Sequence, residues 1–106
     1  MEDHFRVATA SNTRMLAGAI AKSIRDDHQV ILQAIGAGAV TKAALAIAIA
    51  REYLEQDNLD IAYIPEFIEV EFNERIAVRF RIDQIGQPFP PANPIPRKPK
   101  PPDGAL

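Results

Sequence analysis

The sequence predicts a two-layer α/β (α+β) sandwich of order β-α-β-α-β-β, with two helices on one face of a four-stranded mixed sheet. Three observations predict it. Hydrophobic spacing alternates along the chain between the two-residue period of a strand and the roughly 3.6-residue period of a helix. A Gly36-Ala37-Gly38 turn joins a continuous apolar run to a long apolar helix. Eight of the nine prolines fall in residues 86–106, and proline removes backbone donors and fixes φ. The domain is therefore expected to span residues 1–85, and 86–106 to be a basic, disordered tail leaning to polyproline II.

The elements follow in order. "HFRVATA" alternates Phe5 and Val7 with His4 and Arg6, a short strand. Ser11 or Asn12 caps the next helix, in which Met15, Leu16, Ala19, Ile20 and Ile24 form one apolar stripe. Asp26-Asp27-His28 ends it. "QVILQAI" is unbroken in its apolar character, the mark of a strand buried on both faces. Gly36 and Gly38 turn the chain into a helix expected over about 39–56. "LDIAYIPEFIEVEF" is a long strand in which Pro65 demands an edge position or a bulge. After a turn at Asn73-Glu74, "RIAVRFRIDQI" returns with Arg75, Arg79 and Arg81 on one face and Ile76, Val78, Phe80 and Ile82 on the other. Glu69 and Glu71 are expected to meet those arginines across the wet face of the hairpin.

The 106 residues are 47% hydrophobic and 25% charged, enough for one core and no more. A domain this small buries a modest share of its surface, so self-association is a natural supplement to stability. Without cysteine there is no disulfide, thiolate metal site or Cys nucleophile. "MEDHFRVATA" lacks an apolar signal region, and the apolar stretch over 43–50 is far too short to span a bilayer. A cytoplasmic protein without a membrane partner is expected. The net charge of −2 is divided. Residues 1–85 hold nine Lys or Arg against thirteen Asp or Glu, and the tail holds three against one. An acidic body weighs against coating DNA by phosphate neutralisation.

The glycine turn does not match nucleotide-hydrolysis motifs. A dinucleotide fingerprint needs a third glycine where Thr41 stands, and Thr41-Lys42 has neither the order nor the spacing of a phosphate-binding P-loop. What is left is a helix N-terminus with free N–H groups, which attracts phosphate, and Lys42 in its first turn. The same end could sense a small anion or nucleotide. The glycines serve equally well to let the helix pack closely on the sheet, and both roles can hold together. Within the helix, Val40, Ala43, Ala44, Ile47 and Leu54 make one apolar face, and Leu45, Ala46, Ile49 and Ala50 extend it. A helix apolar nearly all round is buried on more than one side. Leu45, Ala46, Ile49 and Ala50 are the expected contact with a second subunit in a homodimer or tetramer.

No catalytic or metal constellation emerges. His4 and His28 lack a second ligand at metal spacing, and no Ser-His-Asp arrangement can be argued. Nothing asks for a cofactor. Tyr53 and Tyr63 are suited to stacking bases, although their neighbours favour packing. In the tail, Pro94, Pro96, Arg97, Lys98, Pro99 and Lys100 combine proline spacing with three cations. That pattern suits an SH3-like groove of a protein partner, a phosphate backbone, or mere solubility.

"LQAIGAGAVTKAALAIAIAREYL" followed by "LDIAYIPEF" resembles the stage V sporulation protein S family, of the Alba-like superfamily of nucleic-acid-binding proteins. The resemblance runs from His4 to Ile85 and excludes the tail. It implies a homodimer and a DNA- or RNA-binding regulator rather than an enzyme. By position, it assigns nucleic-acid contacts to Ser11, Asn12 and Arg14, to Gly36, Ala37, Gly38, Thr41 and Lys42, and to Asn73 and Arg75. Two departures weigh against strong duplex binding. The first loop carries only Arg14 where Alba loops carry lysine, and the hairpin is a tight turn with an acid where Alba's is long and basic. The other reading is a dimeric scaffold that recruits a protein partner through the proline tail.

Overall fold

A computed structural model describes residues 1–68 and 76–86 of the chain. The strands are β1 (Glu2–Val7), β2 (Gln29–Ile35), β3 (Asp60–Phe67) and β4 (Ala77–Ile85), and the helices are α1 (Thr13–Arg25) and α2 (Ala37–Leu54). They follow the expected β-α-β-α-β-β order, and the sheet order is β1-β2-β4-β3. β1 and β2 are parallel because α1 carries the chain back between them. The other two pairs are antiparallel, with Leu32 opposite Phe80 and Pro65 opposite Phe80 on its other side. β3 is an edge strand, which satisfies the demand made by Pro65.

One parity of every strand meets the helices. Val7, Val30, Leu32, Ala34, Ile61, Val78, Phe80 and Ile82 join residues of both helices in a single core. The opposite parity carries Arg6, Gln33, Arg79, Arg81 and Glu66. Among the described residues no second layer covers that side. The expectation that β2 is buried on both faces is therefore corrected. Val30, Leu32 and Ala34 lie beneath the helices, while Gln29, Gln33 and Ile35 are only half-buried on the other face. Ile31 is 8% exposed there because His4 and Arg81 flank it in its row, not because a layer covers it.

The helices also differ from the periodicity in instructive ways. α1 buries Ala17, Ile20, Ala21, Ser23 and Ile24, whereas Met15, expected in the stripe, is 75% exposed. α1 packs chiefly on α2, which offers Ala39, Ala43, Ala46 and Ala50, all fully buried. Small side chains on both helices let their axes approach closely, so alanines take the contact that a larger residue would prop open. α2 begins at Ala37, two residues earlier than expected. It ends at Leu54 and passes through a 3-10 turn (Glu55–Asp57) to Asn58, whose φ of 54° is left-handed. Asn tolerates that region, as does Asp27 (φ 63°) after α1.

Beyond the helix end, the Arg51 guanidinium grips Asp60, with Nε 2.6 Å from Oδ1 and a second nitrogen 3.0 Å from Oδ2. Asp60 is buried at the start of β3 and also accepts the Ile61 N–H at 2.8 Å. A bidentate pair of this kind neutralises a carboxylate that would otherwise be costly to bury. Its proton affinity bears the mark of the contact: Asp60 raises the Arg51 pKa further above its ordinary value.

Candidate functional site

The carboxyl ends of β1 and β2 lie side by side, and in parallel α/β units a crevice opens there. Here it is an open cleft of about 660 Å³, lined by Arg6, Val7, Ala8, Thr9, Ile35, Gly36, Ala37, Gly38 and Ile76. Three stretches of chain meet in it: the loop after β1, the entry to α2, and the residue that leads into β4. The Gly36 N–H donates to the Ile76 carbonyl, tying the second to the third.

The two glycines have different reasons to be there. Gly36 has φ 96°, a conformation closed to most side chains, and it serves as the N-cap of α2. Gly38 is required by proximity, because a Cβ built on it would stand 2.9 Å from Thr9 Oγ1 and 3.0 Å from Thr9 Cγ2. The Thr9 side chain is thus set against the first turn of α2, and a Cβ at position 38 would force it to shift.

The two helix starts make an electrostatic contrast. Asn12 caps α1, its Oδ1 accepting the Arg14 and Met15 N–H groups at 3.0 Å each. α2 has no side-chain cap and no acid in its first turn. Its first N–H groups lie at the cleft with no side-chain cap among the described residues to offset their partial positive charge. Arg6 adds a full charge and Thr9 a hydroxyl, and among the described residues no carboxylate lines the cleft. In a chain of net charge −2, this is a local reversal of sign.

The residues singled out from the sequence divide. Gly36, Ala37 and Gly38 line the cleft. Ser11, Asn12, Arg14, Thr41 and Lys42 do not. Ser11 closes its own loop by accepting the Ala8 N–H at 2.9 Å, and Asn12 serves as the cap. Arg14 is exposed on the first turn of α1, the Thr41 hydroxyl donates to the Ala37 carbonyl at 3.0 Å, and Lys42 is half-buried. Asn73 and Arg75 lie outside the described residues, as do Glu69, Glu71 and the tail residues Pro94, Pro96, Arg97, Lys98, Pro99 and Lys100. Sequence reasoning missed Arg6 and Thr9. Their signal was position: both stand at the end of a strand that runs parallel to the one feeding the glycine turn.

Of the four residues expected at a subunit contact, Ala46 and Ala50 are fully buried within the chain itself and have no surface to offer. Leu45 is 52% exposed and Ile49 is half-buried. The outward side of α2 is instead formed by Ala44, Leu45 and Ala48. It borders a groove of about 410 Å³ that reaches Ile61, Ala62 and Tyr63 of β3. Tyr63 rests on Phe80 with ring centroids 5.2 Å apart, and Tyr53 packs against the core, so both tyrosines serve packing.

Elsewhere, His28 Nδ1 lies 2.9 Å from Asp3 Oδ2. A hydrogen bond from Ser23 and then the contact with His28 hold the Asp3 carboxyl below its ordinary range. Among the described residues no group of His, Asp and Glu is placed to hold a metal ion, and no helix is long and apolar enough to cross a membrane.

A family model, Stage V sporulation protein S (SpoVS), matches residues 3–85. The match takes in both helices, β2, β3 and β4 whole, and β1 from its second residue. It covers far more than half of the chain and includes the Gly36–Gly38 turn. The chain belongs to the stage V sporulation protein S family, a membership that supports a sporulation-related regulatory protein.

Proposed function

We propose that this chain is a homodimeric regulator that binds nucleic acid, DNA or RNA, without catalysing a reaction, and that phosphate groups sit in the cleft at the start of α2. One observation carries the reading: the cleft combines a helix N-terminus without a side-chain cap, Arg6 and the Thr9 hydroxyl, with no opposing carboxylate among the described residues. Helix ends of this kind favour anions, and phosphate is the anion that a nucleic acid presents at every residue. The Alba-like resemblance supports the same location, since it points to the loop after the first strand and to the entry of the second helix. Dimerisation is supported by the apolar outward side of α2, where Leu45 is exposed and Ala44 and Ala48 line the groove beside Tyr63.

The test is fluorescence anisotropy with single- and double-stranded DNA and RNA over a salt titration. The expected result is binding that weakens with salt, and a loss on Arg6→Ala that exceeds the loss on Arg14→Ala or Lys42→Ala. A salt slope reduced by about one is the signature of one phosphate that the variant no longer neutralises. Absence of binding at micromolar protein in low salt would sink the reading. The same titration on a chain lacking residues 87–106 separates binding by the domain from binding by the tail. Sedimentation velocity reads the assembly, and a monomer throughout the micromolar range overturns the dimer.

A further inference from the structure

The uncovered face of the sheet carries a charge pattern that the cleft alone does not use. Register places Arg6, Gln33, Arg79 and Glu66 in one row across β1, β2, β4 and β3, and His4, Ile31, Arg81 and Ile64 in the next. Within these rows Arg79 Nε lies 3.3 Å and Arg81 Nε 3.7 Å from the same Glu66 Oε1. One carboxylate thus serves two cations, and Arg6 has no ion-pair partner among the described residues. The two rows hold a surplus of positive charge in an otherwise acidic chain. The balancing groups stand at the far end of the face, where Gln29 donates to Asp83 at 2.8 Å and His4 meets Glu2 at 3.3 Å. Arg6 belongs both to the row and to the cleft lining, so it links the cleft to the open face, where Gln33 separates it from Arg79.

Between the cations lie uncharged side chains, Gln33 in the first row and Ile31 in the second. Ile64 stands beside Arg81 and is 60% exposed, Ile31 and Ile35 lie along β2, and a small depression beside Arg81 is walled by Ile31, Ile64, Ile82 and Gln29, with Asp83 at its edge toward the far end of the face. Side chains on one face of a strand repeat every two residues, so Arg79 and Arg81 are roughly 6.6 Å apart along β4. A duplex presents mainly phosphates to a flat surface and has little to place on isoleucine. Unpaired bases do: they lie flat on apolar side chains and on guanidinium planes while the backbone meets the charges.

We infer that the open face of the sheet, through Arg6, Arg79 and Arg81, is a contact surface for single-stranded nucleic acid leaving the cleft. The inference rests on the nucleic-acid reading above but adds a surface and a preference to it. Glu66 restrains the affinity of this face, because it competes with phosphate for both β4 arginines.

The test is anisotropy of full-length protein with an oligothymidylate and an oligouridylate of about 16 nucleotides, and with a duplex of equal length. The joint variant Arg79→Gln, Arg81→Gln is expected to bind the single strands roughly tenfold more weakly, with a salt slope lower by about 0.7 for each phosphate left without its arginine. Glu66→Gln is expected to bind them more tightly, a gain that a merely structural role would not produce. These side chains are on the surface, so melting temperatures serve as the check that the variants fold. Wild-type protein that binds the single strands while both variants bind equally well overturns the inference and leaves the cleft reading intact. So does wild-type protein that takes only the duplex. A polyglutamate chain of similar length bound as tightly as the oligonucleotides also overturns it, since the face would then be directed to an acidic protein. Wild-type protein that binds no nucleic acid overturns both readings together.

Discussion

The two faces of the one sheet are made by the same strands and share no purpose. On the covered face Val30, Leu32, Ala34, Phe80 and Ile82 lie beneath the helices with almost no exposure. On the open face their immediate neighbours in sequence include Gln33, Arg79 and Arg81, with Glu66 across the hairpin. Strand alternation alone separates them. Apolar burial on the first face is roughly additive and indifferent to direction, whereas charge on the second depends on which cations share which carboxylate. On the proposed reading, stability should therefore be removable from one face without touching nucleic-acid binding, and binding from the other without touching stability.

The largest expected effect breaks the covered face. Leu32 is fully buried in the central strand, opposite Phe80 and under both helices. Leu32→Ala should cost about 3 kcal/mol, the sum of lost transfer energy and an incompletely collapsed cavity. Urea unfolding measures it. At a temperature where the variant is still folded, its affinity for oligonucleotide should equal that of the wild type. A weakened affinity in folded protein would show that the two faces are not independent.

How much of this was legible beforehand follows the same division. Alternation in "RIAVRFRIDQI" placed Val78, Phe80 and Ile82 inward and the arginines outward, because a period of two is a local property of the strand. The fold order was legible for the same reason. What the sequence could not convey was pairing. Among the described residues Glu66 is the carboxylate that reaches Arg79 and Arg81, since register depends on where the two strands meet. Equally, "QVILQAI" reads as buried on both faces because an isoleucine shielded by long neighbouring side chains looks the same in sequence as one beneath a second layer. α2 was legible as a buried helix but not in its allocation. Ala46 and Ala50 are as small as Ala44 and Ala48, and only the position of α1 decides which pair is inside. At the cleft, the glycines were visible by type, whereas Arg6 and Thr9 came into the site through the adjacency of β1 and β2.

The cleft is where the two regions join, and a smaller effect sharpens the contrast there. Gly38→Ala brings a methyl carbon to 2.9 Å from Thr9 Oγ1 and 3.0 Å from Thr9 Cγ2. The Thr9 side chain or its loop must shift, at a cost of about 1–2 kcal/mol, and the lining of the cleft changes with it. Stability and oligonucleotide affinity should therefore fall together, unlike the behaviour of Leu32→Ala. Adding Thr9→Ala removes both crowding atoms and leaves the Cβ at 3.5 Å, an ordinary contact. The double variant should recover most of the lost stability. If it does not, the close approach is not the reason for glycine at position 38.

The smallest effect concerns a polar exception on the covered face. Asp3 shares the parity of Phe5 and Val7, and at the margin of the core it accepts a hydrogen bond from Ser23 and faces His28. Both contacts favour the ionised carboxylate, Ser23 the more strongly, so the folded-state pKa lies below the unfolded one. A depressed carboxylate contributes stability that is fully present above its unfolded pKa, near pH 4, and is lost as the pH falls through the lower folded value. Unfolding free energies of wild type and Asp3→Asn should differ at neutral pH and converge in acid, with the change confined to below about pH 4. Following the Asp3 carboxyl by NMR separates the causes, since Ser23→Ala should raise its pKa more than His28→Gln. A difference between wild type and Asp3→Asn that stays constant from neutral pH into acid would mean that the ionised form gains nothing from these partners. Asp3 would then be tolerated at the margin of the covered face rather than anchored there.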